Sequence, residues 1–124
     1  MENLKKLIVY FVAKFRKVGS AELNRVLASF EETYFRLYRK SFLEVKFHET
    51  GKDPYVRVVL DAIEELKGVV VNRNFTYYGI VQVLYVINNK EMADKIIQEI
   101  PGEAKMAAAM VFNFFESKFL SPGS

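Results

Sequence analysis

The chain has no cysteine, no tryptophan, one histidine and three prolines among 124 residues. The absence of cysteine excludes disulfides, Cys-type zinc sites and thiol catalysis. A multi-histidine metal site is impossible with His48 alone, and a Ser-His-Asp arrangement would have to use it, yet no Gly-x-Ser-x-Gly elbow is present. The glycines scatter at 19, 51, 68, 79, 102 and 123, each near a turn or cap, so no phosphate-binding loop exists. Long apolar runs are also missing. The longest, Leu7–Ala13 and Ala107–Phe112, fall far short of the ~18–20 residues of a membrane span. These absences predict a chain that is not an enzyme, carries no cofactor and does not enter a membrane.

What is present is apolar and aromatic. Hydrophobic residues make up 51% of the chain, including 11 Phe and 7 Tyr, enough to fill the core of one domain without staples. One helical domain is expected over residues 1–120, with residues 121–124 as a disordered tail. Lys5 and Lys6 precede an apolar stretch, but no small-residue cleavage site follows, so a cytoplasmic protein is expected. Net charge is +3, and its distribution is uneven. Residues 1–62 hold 12 Lys/Arg against 8 Asp/Glu, whereas residues 63–124 hold 6 against 7. A basic first half fits solvated helix faces or an acidic partner.

The spacing predicts a mainly α fold with a small β component. Leu4, Leu7, Ile8, Phe11, Val12 and Phe15 form one helix face, and Gly19 is expected to end that helix. Ser20 is the expected N-cap of a second helix, with Leu23, Val26, Leu27, Phe30, Tyr34 and Leu37 as its buried stripe, widened by Phe35 and Tyr38, and Arg25, Glu31, Glu32, Arg36, Arg39 and Lys40 on its solvent side. Leu43–His48 alternates as a strand. Asp53 and Pro54 open a third helix, with Val56, Val59, Leu60, Ile63 and Leu66 inside and Gly68 as its stop. A small hairpin is expected at Val69–Tyr78, turning at Asn72-Arg73-Asn74. Gly79–Ile87 suits either a strand or a helix capped by Thr76; helix is preferred, on the spacing of Ile80, Val83, Leu84 and Ile87. Asn88 or Asn89 caps a helix to about Ile100. The last helix runs from about Glu103 to Leu120, with Met106, Met110, Val111, Phe114 and Phe115 as its apolar set.

Two features suit a partner. One is the cluster of Tyr34, Arg36, Tyr38, Arg39 and Lys40, where amphipathic rings alternate with cations. Its competing reading buries Phe35 and Leu37 and leaves the two tyrosines half-buried. The other is the last helix, whose Met106, Met110, Phe112, Phe114, Phe115 and Phe119 wrap more than one stripe; they suit a homodimer or partner face and, equally, burial within the domain. An alternative is nucleic-acid binding. The order helix, helix, strand, helix, hairpin is winged-helix-like, with Lys52 and Arg57 placed for phosphates and Arg73 for a groove. Asp61, Glu64 and Glu65 on the third helix oppose that reading, because phosphates repel them.

Residues 4–71 resemble the Panacea domain, the family of SocA-like antitoxins and proteolytic adaptors. The matching residues are Leu23-Asn-Arg-Val-Leu27, Tyr34-Phe-Arg-Leu-Tyr-Arg-Lys-Ser41, Val45-Lys-Phe47, Gly51-Lys-Asp-Pro54 and Val59–Gly68. Lys52-Asp53 splits the family's Gly-Pro corner, and Leu43-Glu44 stands where its Thr-Gly turn falls. The resemblance implies a non-enzymatic module that binds a protein partner, as an antitoxin or adaptor does. It assigns no individual binding residue.

Overall fold

A computed structural model describes residues 2–43 and 56–119. In chain order it contains α1 (Glu2–Phe15), β1 (Lys17–Val18), α2 (Ser20–Tyr38), α3 (Val56–Glu65), β2 (Val70–Tyr77), β3 (Ile80–Ile87), α4 (Lys90–Gln98) and α5 (Gly102–Phe119). The fold is mainly α with one small antiparallel sheet of strand order β1-β3-β2. The described elements before α4 run helix, strand, helix, helix, hairpin, with the strand between α1 and α2 rather than after the second helix. Residues 44–55 lie outside the described residues, and with them most of the expected Leu43–His48 strand, Lys52, the Asp53 cap and Pro54.

Helix α1 is the axis of the core. Leu4, Leu7, Ile8, Val9, Tyr10, Phe11, Val12 and Phe15 are all buried, which is wider than the single face expected. A helix apolar on most sides must be covered on most sides, and α1 packs against every other helix and β3. Its neighbours supply an aromatic cluster. Phe11 meets Phe30 edge-on at 6.3 Å, Phe30 meets Phe42 at 5.8 Å, and Phe15 meets Phe112 at 4.8 Å. Edge-to-face contacts of this kind add to the area that the rings bury.

The turn that ends α1 differs from expectation. Arg16, not Gly19, takes the left-handed conformation (φ 71°). Gly19 is extended and is itself the N-cap of α2, so Ser20 is the first helical residue. In α3, Val59, Ala62 and Leu66 are buried and Ile63 is half-buried, but Leu60 is exposed, against expectation. Gly68 (φ 86°) stops the chain as expected.

The largest correction concerns residues 69–87. The expected turn at Asn72–Asn74 and the expected helix over Gly79–Ile87 are both absent. Two eight-residue strands pair in continuous register from Val70↔Ile87 to Tyr77↔Ile80. The turn is Tyr78-Gly79, with φ 51° and 79°. Two positive φ values are what a type I′ hairpin turn requires, and its twist matches that of the strands. The β-branched density of Ile80–Ile87 then prevails over its helical spacing. Tyr85 anchors β3 in the core; burial pushes its phenol up, and a hydrogen bond from Ser20 at the start of α2 partly opposes this.

Candidate partner-binding surfaces

The aromatic and basic end of α2 divides into a packed part and an open part. Tyr34 is core, contrary to a binding role. Its hydroxyl donates to Glu103 Oε1 at 2.9 Å, and its phenol is pushed up to about 12, first by burial and then by that carboxylate. Tyr38 is half-buried and donates to the Glu103 carbonyl at 3.4 Å, while Lys40 pairs with the Glu103 carboxylate at 3.5 Å. Glu103 thus ties the end of α2 to the start of α5. Arg36 is exposed and paired with Glu32. Arg39 is the left-handed C-cap of α2 (φ 59°), its backbone N–H donating to the Phe35 carbonyl, with its side chain in solvent. Phe35 and Leu37, assigned to the core by the helical stripe and by the competing reading alike, are both exposed.

Glu31 inverts the opposite expectation. It was assigned to the solvent side of α2 but is buried, accepting the backbone N–H groups of Phe42 and Leu43 at 2.9 and 2.8 Å. One carboxylate therefore satisfies two buried donors and holds Phe42 against Phe30 and Tyr34. Sequence spacing carries no signal for this, because the partners are backbone groups a turn beyond the helix.

Helix α5 buries its small residues and exposes its large ones. Ala104, Ala107, Ala108 and Val111 are buried, whereas Met106, Met110 and Phe114 are exposed at spacings of four. Of the apolar set expected on this helix, these three are therefore not core. Only Val111 of that set is fully buried, and Phe115 is partly so. Alanines let two helices approach closely, and so the bulkier residues are left on the outer side. Lys118 lies over the Phe114 ring at 4.4 Å. Met106 is one turn beyond Glu103, so the outer stripe begins at the Tyr38–Lys40 corner.

The nucleic-acid residues are not brought together. Lys52 lies outside the described residues. Arg57 is exposed on α3 beside Leu60, Asp61, Glu64 and Glu65. Glu65 is held by Lys5 at 2.9 Å, which raises the lysine's pKa, and Glu64 by Lys67 at 3.6 Å. Arg73 is not at a hairpin tip. It sits mid-strand opposite Leu84 and donates to Asn88 Oδ1 at 3.2 Å.

A cleft of about 510 Å³ separates the end of α1 from α4, lined by Val12, Ile87 and Ile97 with Lys14, Lys90 and Asp94. Among the described residues, no group of three or more His, Cys, Asp or Glu side chains is placed to hold a metal ion. No helix among them is long and apolar enough to cross a membrane. No family model, curated protein or solved structure matches this chain.

Proposed function

We propose that this protein is a non-enzymatic interaction module that recognises a protein partner through the outer stripe of α5 and the adjoining corner of α2. The carrying observation is that Met106, Met110 and Phe114 stand in solvent on a helix whose inner face is already packed by alanines. An apolar stripe not needed for the core is what a partner covers. Methionine suits it, because its flexible thioether adapts to irregular surfaces. Arg39 and Lys40 at the same corner favour a partner with an acidic rim around an apolar groove. The Panacea resemblance implies the same class of function, with an antitoxin or adaptor role in the cell.

The test is capture from native lysate, with and without nuclease, by the unaltered chain and by a Met110→Glu, Phe114→Ser variant. The expected result is a stoichiometric protein that survives nuclease and is lost with the variant, while the variant keeps its helical circular dichroism. Bound material that disappears with nuclease would overturn the reading in favour of nucleic acid. The order of helices followed by a hairpin favours that second reading, whereas the acidic exposed face of α3 opposes it.

A further inference from the structure

The β2–β3 hairpin forms an arm whose outer half, among the described residues, is largely exposed. Tyr78 is 95% exposed, Ile80 65%, Val81 60% and Val83 58%. Val81 and Val83 lie on one face of the arm and Ile80 on the other, because alternate residues of a strand point to opposite sides. Both faces are therefore apolar and wet. The edge is open as well. β1 pairs only with Tyr85 and Val86, so among the described residues no strand covers the same side of β3 along Ile80–Leu84.

Exposed edges are ordinarily protected by lysine, proline, a bulge or a covering segment. β3 contains neither lysine nor proline, and its register with β2 has no bulge. Arg73 is the only charged residue from Val70 to Ile87. Lys17 of β1 lies over the Phe75 ring at 4.9 Å, so the cations of this region sit over β2 and at the arm's base, whereas the free edge Ile80–Leu84 carries no charge to attract a charged partner or to repel a second copy.

We propose that the arm pairs with a second copy of this chain, β3 against β3, antiparallel about a two-fold axis at Gln82. The five free positions are symmetric about that residue. The register sets Val81 opposite Val83 of the second copy on one face and Ile80 opposite Leu84 on the other. These are branched aliphatic pairs of the kind that stabilise antiparallel strands. The two Gln82 side chains meet on the axis, where their amides complement each other. Beyond Leu84 the partner strand is stopped by β1, so the Tyr77–Tyr78 tip of one copy comes beside β1 of the other. The exposed tyrosines and aliphatics present on the order of 450 Å² per arm, taking ~200 Å² for a whole tyrosine side chain. Edge pairing covers only part of that area and leaves both faces wet, so main-chain hydrogen bonds carry much of the association, as in strand addition.

The chain has no cysteine, so one introduced residue reports one contact. Gln82→Cys places two thiols on the axis, where opposed Cα atoms about 4.5–5.5 Å apart lie within disulfide reach. Light scattering of the unaltered chain across a concentration series is expected to reach twice 14.4 kDa. Mild oxidation should cross-link Gln82→Cys, but not Glu91→Cys on α4 or Met110→Cys on α5. A Val81→Lys, Val83→Lys variant sets lysine against lysine across the axis and should lose the dimer mass while keeping its helical circular dichroism. A single-chain mass at every concentration overturns the proposal. So does a dimer that cross-links through Met110→Cys and not Gln82→Cys, which would place the interface on α5. The proposal stands apart from partner recognition, since the lysine variant should still capture the partner through α5.

Discussion

The middle of helix α1 and strand β3 are both almost wholly apolar, yet one is sealed and the other half open. Leu7 to Val12 is buried at every position, whereas Ile80 to Val83 is exposed at every position. Composition does not distinguish them; coverage does. α1 is surrounded by α2, α3, α4, α5 and β3, while among the described residues the outer part of β3 has only β2 beside it. A two-stranded ribbon is marginal in water unless something packs on its face. The body therefore spends its apolar residues on its own stability, while the arm and the outer side of α5 leave theirs exposed.

Truncation in each region is the strongest test of that division. Phe30→Ala removes a fully buried ring that meets Phe11, Tyr34 and Phe42. It should cost about 3–5 kcal/mol in urea unfolding. Val83→Ala on the arm, measured under dilute monomeric conditions, should stay within about 0.5 kcal/mol. Equal losses would mean that the arm is part of the core. Next in size is Glu31→Ala, which strands the buried N–H groups of Phe42 and Leu43. A loss of about 2–3 kcal/mol is expected, with Glu31→Gln recovering part of it. A loss no greater than that of a surface carboxylate would remove Glu31 from the body's framework.

Much of the body was legible in the sequence, because burial and helical period coincide there. Leu23, Val26, Leu27, Phe30 and Tyr34 are the stripe expected of α2, and Asn89 caps α4 as expected, accepting from the Met92 N–H at 3.0 Å. The open regions misled for the converse reason. Ile80, Val83, Leu84 and Ile87 fit a helix period, and no buried face enforced an alternation of two. The readable signal was Tyr78-Gly79 between two β-branched runs, a pair whose glycine accepts positive φ. In α5 the sequence left burial and an outward face equally open for the large apolar residues, because nothing in the spacing shows that the helix packs closely on its alanines. Among the candidate binding residues, the exposure of Arg36, Arg39 and Lys40 followed from sequence, whereas the burial of Tyr34 depended on Glu103, distant in the chain.

Tyr34 sharpens the comparison at alkaline pH. Its phenol is raised to about 12 in the fold, above the ~10 of an unfolded tyrosine. Stability from this group is complete below pH 10 and is lost as pH rises through 10–12, because the unfolded chain gives up the proton first. Tyr34→Phe should cost about 0.5–1.5 kcal/mol near neutrality by removing the hydrogen bond to Glu103. It should also flatten the fall in stability between pH 10 and 12. Parallel profiles for the two proteins would show that the ring is not sealed.

The smallest effect tests whether the charged end of α2 belongs to the body at all. Arg36 and Glu32 are both exposed and one helical turn apart, an arrangement that contributes about 0.3–0.5 kcal/mol and is screened by salt. Arg36→Ala should therefore shift the urea midpoint barely, and less still at high salt. Arg39→Ala should act equally little on stability through charge, since its cap contact is made by the backbone. If both variants fold normally but capture the partner more weakly, and the deficit shrinks as salt is raised, these cations act across an interface. A deficit in stability that salt does not change would instead place the guanidinium stems in the packing of α2, and the corner would then belong with α1 rather than with the arm.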